Sequence, residues 1–270
     1  MNDLIEQTVA QFLATELPTD WPDVSSTPTI AAIGTVAEKA LDSPLLRDRL
    51  DAARVEPAEY RPFSGLEGLL ADESWALALV LSPFKREVPE SCSSLTPAAA
   101  ATGVVDTLLR VPSGVQGVNT NVAAAAGALV TLTGGNVSRA LVAGTGASAR
   151  SVAVALRRVA PGAQLGVVGR SAERAAEVVR DLGAAVVVTD PADFAADAVV
   201  NTTTVGETDD TAALDFDLTG ALRPGVRFFD LNNRTSALQV TALRAGCVTS
   251  SGVPMQILTN ALRVALLVPR

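Results

Sequence analysis

The stretch Leu141-Val142-Ala143-Gly144-Thr145-Gly146-Ala147-Ser148-Ala149-Arg150 decides the fold class. Ala140 to Ala143 reads as a short buried strand, a helical pattern runs on to about Val159, and between them stands G-x-G-x-x-A. In that spacing Gly144 makes the tight turn, Gly146 lets backbone approach a pyrophosphate, and small Ala149 lets helix and strand pack closely. Ala147 and Ser148 open the helix, whose first N–H groups and dipole favour phosphate. The competing reading is a bare tight β–α turn.

One strand further on, the sequence chooses between dinucleotides. Gln164 to Val168 reads as a strand and Ala172 to Leu182 as a helix, joined by Gly169-Arg170-Ser171. An NAD site carries a carboxylate at this strand end to accept from the ribose 2′-hydroxyl, and none stands here. Arg170 is placed to meet a 2′-phosphate, with Ser171 as a hydroxyl donor and Arg174 one helical turn later, so NADP is the expected cofactor. Otherwise Arg170 and Arg174 are ordinary surface arginines pairing with Glu173 or Glu177.

Outward from this centre the alternation continues. Ala185 to Val188, Ala198 to Asn201 and Val226 to Leu231 supply three more strands, a helix opens at Asn121, and Pro254 to Leu267 forms a closing helix. On the N-terminal side an amphipathic helix carries Leu4, Ile5, Val9, Phe12 and Leu13 and stops at Pro18, Trp21 and Pro22. Thr29 to Ile33 is a buried strand, Ser43-Pro44 starts a helix to about Ala53 with serine as N-cap, and Ala58 to Phe63 and Trp75 to Leu81 are strands around a helical Leu66 to Leu70. The pattern predicts an α/β fold with mostly parallel sheets in two domains. An N-terminal α/β substrate domain takes residues 1–120 and is completed by the helix in 251–270, and a Rossmann domain takes residues 121–250. The alanine runs Ala98 to Ala101 and Ala123 to Ala126 read as close-packed helix positions.

Composition narrows the chemistry. The 270 residues are 48% hydrophobic and 19% charged with a formal net charge of −8, so no basic groove for nucleic acid is expected. Histidine is absent and lysine occurs only at Lys39 and Lys85. That excludes a Ser-His-Asp triad and His-ligated zinc, and it leaves proton transfer to a carboxylate, a cysteine, the single tyrosine Tyr60 or a lysine. Cys92 and Cys247 form no C-x-x-C pair and read as buried free thiols. Asp3 and Glu6 argue against a signal peptide, and no apolar run approaches the ~20 residues of a membrane span, so a cytoplasmic protein is expected.

Several segments, in order, resemble the shikimate dehydrogenase family. Pro83-Phe84-Lys85-Arg86-Glu87 resembles its P-H-K-E loop, Gly103-Val104-Val105-Asp106-Thr107 its G-A-V-N-T, and Gly117-Val118-Asn119-Thr120-Asn121 its G-x-N-T-D. Gly169-Arg170-Ser171 resembles its N-R-T clamp, Asn201-Thr202-Thr203-Thr204-Val205-Gly206 its N-A-T-P-x-G, and Gly252-Val253-Pro254-Met255 the G-x-x-M before the closing helix. The resemblance implies a substrate domain and an NADP domain with a cleft between them. It also implies reversible hydride transfer between NADPH and a ring ketone, 3-dehydroshikimate in the namesake. In such enzymes a lysine and the aspartate of N-T-D flank the reacting oxygen, and two serines hold the substrate carboxylate. Thr203, Gly252 and Met255 would join the turn residues around the cofactor, and Ser43, Asn119 and Thr259 would meet substrate.

The substrate half departs from that pattern. The aspartate of N-T-D matches Asn121 and the family's N-T asparagine matches Asp106, so carboxylate and carboxamide have exchanged places. Leu81 stands for a threonine, Ser43 beside Leu41 for a serine pair, Thr259 for a glutamine and Asn233 for a tyrosine. The exchange suggests that Asp106 partners Lys85 from the opposite wall while Asn121 keeps a hydrogen bond to substrate. The plainer readings are a surface lysine in a loop and an aspartate held locally by Thr107. Two functions therefore stand side by side: an NADP-dependent oxidoreductase acting on shikimate or a related hydroxy acid, or a catalytically weak NADP(H)-binding sensor. The N-terminal helix has no counterpart in the pattern and reads either as a homodimer contact or as a cover for the sheet edge.

Overall fold

The computed structural model describes residues 1–16, 27–183, 185–206 and 217–268. The chain forms two compact units, Met1–Ala124 with Ile257–Arg270, and Ala125–Gln256. Among the described residues no helix is long and apolar enough to cross a membrane. The proline stop at Pro18, Trp21 and Pro22 lies outside them.

In the first unit the elements run α1 (Asn2–Glu16), β1 (Thr29–Ile33), α2 (Ala37–Leu41), α3 (Pro44–Ala53), β2 (Glu59–Phe63), α4 (Leu66–Ala71), β3 (Trp75–Val80), β4 (Ser94–Leu95), α5 (Pro97–Thr102), β5 (Thr107–Val111), β6 (Gly114–Val118) and the start of α6 (Thr120–Thr133), which runs on into the second unit. Their sheet has the order β2-β1-β3-β5-β6-β4. It is mostly parallel, as the pattern predicts, and the exception is β5, which runs antiparallel to both β3 and β6. The reason is local, since Val111 pairs with Gly114 across a turn of Pro112 and Ser113, a connection too short for anything but a hairpin. Ile33, Trp75, Val80, Val105 and Leu108 pack in one core cluster. The indole of Trp75 donates to Leu69 O at 2.8 Å, and the Arg110 guanidinium lies 4.2 Å over its ring.

Helix α1 buries the stripe Thr8, Phe12 and Glu16. The Glu16 carboxylate accepts from the Ala98 N–H at 2.7 Å, in the first turn of α5, so α1 belongs to the first unit's own packing. Helix α3 starts as its sequence predicts, with Pro44 at its first position and Leu46 and Leu50 buried one turn apart. Ser43 occupies the N-cap position but its hydroxyl makes no capping bond, contrary to the expected cap.

The second unit continues with β7 (Arg139–Ala143), α7 (Ala147–Val159), β8 (Gln164–Val168), α8 (Ala172–Leu182), β9 (Ala185–Val187), β10 (Ala198–Asn201), β11 (Arg227–Asp230), α9 (Ala237–Arg244) and β12 (Val248–Ser250), and α10 (Val253–Ala265) closes the chain. Strand order is β12-β11-β10-β7-β8-β9, with every neighbouring pair parallel. This is the doubly wound Rossmann arrangement, whose order reverses between β7 and β10 and so opens a crevice at their C-terminal ends. Continuous apolar runs explain the parallel sheet: β7, β8 and β10 are buried along nearly their whole length. Cys92 and Cys247 are free, and burial pushes the Cys92 thiol up to about 11.

Candidate active site

The Rossmann unit builds its site largely from backbone. Gly144 sits at φ +123°, and a Cβ there would meet Thr202 Oγ1 at 2.3 Å, so only glycine fits the turn after β7. Its N–H donates to Val168 O at 2.8 Å, and Thr202 Oγ1 donates to Ala143 O at 2.8 Å, tying together the ends of β7, β8 and β10. Gly146 is the N-cap of α7 and supplies no side-chain oxygen, and a Cβ on it would touch nothing within 4 Å. The first-turn N–H groups of Ala147, Ser148 and Ala149 follow Gly146, the donors that a helix start leaves without intrahelical partners and that suit a pyrophosphate. Ala149 is fully buried, as close packing of helix on strand requires.

At the end of β8 the exposed Arg170 precedes Ser171, the N-cap of α8, whose Oγ accepts from the Arg174 N–H at 3.2 Å. The hydroxyl hydrogen of Ser171 remains available, and the Arg174 side chain is exposed on the first turn. Two guanidinium groups and a hydroxyl without any carboxylate at the strand end suit a 2′-phosphate. On the other side of the sheet reversal, Thr203 donates through Oγ1 to Asn201 Oδ1 at 2.7 Å. A Cβ on Gly252 would lie 2.0 Å from Leu231 O, and its N–H donates to Asn232 O at 2.8 Å. Met255 is buried two residues into α10.

Sequence reading passed over the group that holds this second loop. The carboxylate of Asp230, fully buried at the end of β11, accepts from Asn201 Nδ2 at 3.0 Å, Asn232 Nδ2 at 2.8 Å, the Asn232 N–H at 3.2 Å and the Ser236 hydroxyl. Asn232 Nδ2 also reaches Val205 O at 2.7 Å, so one buried acid fixes both the Thr202–Gly206 turn and the Asn232–Gly252 contact. Burial pushes the Asp230 carboxyl up, against the pull of its four hydrogen-bond donors.

In the first unit the candidate residues gather around the ends of β3, β5 and β6. Lys85 lies half-buried in a short 3-10 turn, Phe84–Arg86, just past β3, and its carbonyl accepts from the Val105 N–H at 2.9 Å. Asp106 is the next residue, with 0% exposure. Its Oδ1 accepts from the hydroxyls of Thr107 and Thr120, each at 2.7 Å, and from the Thr120 N–H at 3.2 Å, while Oδ2 accepts from the Asn121 N–H at 2.7 Å. The carboxylate is therefore a cap on the first turn of α6, favoured by the helix dipole. No hydrogen bond or ion pair within 4.0 Å joins it to Lys85 among the described residues, so the expected direct partnership is replaced by an influence through space.

The partner of Asp106 is a residue that sequence reading missed. Arg263, buried on α10, donates from Nε to Thr107 Oγ1 at 3.0 Å and from Nη2 to Asp106 O at 3.1 Å, and its Nη2 lies 3.9 Å from Asp106 Oδ1. The available signal was an isolated arginine inside the apolar run Ala261-Leu262-Arg263-Val264-Ala265-Leu266, which requires a buried counter-charge. On the same helix Thr259 Oγ1 donates to Asn121 Oδ1 at 3.2 Å. Asn119, fully buried, donates from Nδ2 to Thr102 Oγ1 at 2.9 Å. Ser43 is the N-cap residue of α3, and its hydroxyl makes no capping bond. Desolvation lowers the pKa of Lys85 below that of an ordinary lysine; Asp106 opposes the shift and Arg263 adds to it.

Comparison with known proteins follows these lines. A shikimate dehydrogenase (NADP(+)) from Anaeromyxobacter sp. strain K is 37% identical over 173 residues, 60% of this chain and 57% of that protein, so the match spans little more than half the relative's length. A second, from Anaeromyxobacter sp. strain Fw109-5, is 32% identical over 238 residues, covering 83% of this chain and 77% of its own. The structure of a shikimate 5-dehydrogenase from Thermus thermophilus, in complex with NADP(H) and shikimate, matches the fold with a TM-score of 0.76 at 23% identity, over 88% of this chain and 91% of that one. No protein-family model matches the chain.

Proposed function

The chain belongs to the shikimate dehydrogenase family, and on that premise we propose that it catalyses reversible hydride transfer between NADPH and a ring ketone, with 3-dehydroshikimate and shikimate or a related hydroxy acid as the pair. The observation that carries the reading is a half-buried lysine of lowered pKa at the end of β3, in a chain with no histidine. NADPH, when bound, supplies the hydride. Gly144, Gly146 and the first turn of α7 hold its pyrophosphate, Arg170, Ser171 and Arg174 its 2′-phosphate, and Thr203, Gly252 and Met255 line its other end.

Lys85 handles the proton. In reduction its ammonium donates a hydrogen bond to the carbonyl oxygen and then a proton to the alkoxide that forms; in oxidation the neutral amine accepts the proton of the alcohol. Desolvation brings the amine closer to the working pH, which serves both directions. Asn121 accepts from Thr259 through Oδ1, so its Nδ2 is turned to donate to a substrate oxygen. Ser43 holds the substrate carboxylate with a hydroxyl that capping leaves uncommitted. Asn119, buried two residues before Asn121, is the second carboxamide we assign to substrate, and Asp106 holds the helix start that presents Asn121.

The test is a screen of NADP reduction by shikimate, quinate and simpler hydroxy acids, and of NADPH oxidation by 3-dehydroshikimate. Turnover with NADP in preference to NAD on a cyclic hydroxy acid is expected. Asn121 cannot ionise and Asp106 is committed to α6, and these two facts favour a second reading, an NADP(H)-binding sensor. Tight NADPH binding with no turnover on any member of the screen would replace the first reading by the second.

A further inference from the structure

One side chain joins the turn after β7 to the clamp after β8. Thr145, the middle residue of Gly144-Thr145-Gly146, lies over Gly169, which immediately precedes Arg170. A Cβ on Gly169 would stand 2.7 Å from Thr145 Cγ2 and 3.8 Å from its Cβ and Oγ1, and these three are the nearest atoms it would meet. Gly169 has no left-handed φ, so its backbone does not call for glycine. What the missing side chain does there is admit the methyl of Thr145. The Gly144 N–H to Val168 O bond of 2.8 Å holds together the two loops that carry this fitted pair.

A β-branched residue is stiff about χ1, so seating Cγ2 on Gly169 also fixes the direction of Oγ1. The residue is half-buried, and its hydroxyl has no hydrogen-bond partner among the described residues. Valine would fill the same space equally well, which leaves the hydroxyl to be explained. We propose that Thr145 is a specificity-determining residue for the cofactor: its hydroxyl donates to the 2′-phosphate that Arg170, Ser171 and Arg174 receive. The proposal rests on NADP being the cofactor of this unit. The covalent structure of NADP supports it, because the pyrophosphate and the 2′-phosphate are joined through the adenosine ribose alone. A residue between the pyrophosphate turn and the clamp therefore meets that ribose, and one seated against the residue before Arg170 meets its phosphorylated edge. A hydroxyl adds a neutral donor to two guanidinium groups without adding charge, and a hydrogen bond to a charged acceptor is stronger than one between neutral groups.

The test is direct titration with NADPH, NADH and adenosine 2′,5′-bisphosphate, with thermal melting of the nucleotide-free protein to show that each variant is folded. The unaltered protein should bind NADPH more tightly than NADH; equal affinities would overturn the cofactor reading and the proposal with it. Thr145→Val keeps the methyl on Gly169 and removes only the donor. It should weaken NADPH and the bisphosphate about three- to tenfold and NADH by less than about twofold. An unchanged NADPH affinity in this variant, beside a preserved preference of the unaltered protein for NADPH, overturns the proposal alone and reduces Thr145 to a space-filler. Equal losses for NADPH and NADH overturn it too, since the contact is then to a group that both nucleotides carry. Gly169→Ala approaches the same hydroxyl from the other side. The added methyl meets Cγ2 at 2.7 Å, and rotation of the Thr145 side chain to relieve that contact turns Oγ1 as well. This variant should therefore lose NADPH affinity more than NADH affinity, and an unchanged ratio of the two in the folded protein overturns the proposal.

Discussion

The two units present their working groups in different ways. In the Rossmann unit the surface that fits a dinucleotide is mostly main chain: a glycine at φ +123°, a glycine N-cap and the first turn of α7. In the first unit it is mostly side chains that find each other over long sequence distances, Asp106 with Arg263 and Asn121 with Thr259. A backbone site can constrain residue type at a position by itself, as at Gly144, where no side chain but hydrogen fits. A side-chain site constrains only pairs, and a pair can change both members and still close its hydrogen bonds. The family pattern accordingly survives almost intact around α7, while around α6 a carboxylate and a carboxamide have exchanged places.

That contrast can be broken by substitution. The largest effect is expected at Lys85→Met, which should lower kcat by about a hundredfold to ten-thousandfold and leave the NADPH dissociation constant unchanged in a fluorescence titration. A loss of NADPH binding there would mean that the two sites are not separable. Next comes Gly144→Ala. The added methyl collides with Thr202 Oγ1 at a φ that side chains avoid, so it should destabilise the protein by about 1–3 kcal/mol and weaken NADPH binding at least about tenfold. Thermal unfolding with and without NADPH separates the two consequences.

Arg170→Ala should weaken NADPH by about tenfold and change NADH little, which direct titration with each nucleotide would check. Equal losses for both would remove the 2′-phosphate from the role of Arg170. The smallest effect lies far from either site. Hydrogen bonds from Ser74, with the Arg61 ion pair, hold Asp72 down at about 2 against an ordinary 3.8. A carboxyl depressed in the folded state contributes stability above its unfolded pKa and loses it as the pH falls through the folded one. Asp72→Asn should therefore flatten acid unfolding between pH 3.8 and about 2 and lower the neutral melting temperature by the same small free energy, leaving stability below about pH 2 nearly unchanged.

The same physical difference decided what could be read before folding. The strands β7, β8 and β10 and the helices α7 and α8 were legible because apolar runs and a helical stripe announce themselves within a dozen residues. β5 and β6 were legible only as motif segments: with Arg110 and Gln116 inside them, neither shows an uninterrupted apolar run, and their hairpin makes β5 the reversed strand of a mostly parallel sheet. The Gly144 turn was legible because its meaning is local. Asp106 was visible as an exchanged residue, but its true partner sits 157 positions away on α10, and no periodicity connects the two. The buried Asp230 hub was missed for a like reason, since its ligands Asn201, Asn232 and Ser236 come from different turns.

The route of the chain through the two units also has a consequence for its synthesis. The first unit is completed by residues from Ile257 onward, so its buried Asp106 has no arginine until α10 has left the ribosome. The Rossmann unit, by contrast, is continuous from Ala125 to Gln256 and can close as soon as its last strand emerges. The order of maturation is then inverted relative to the order of translation: the first half made is the last to finish.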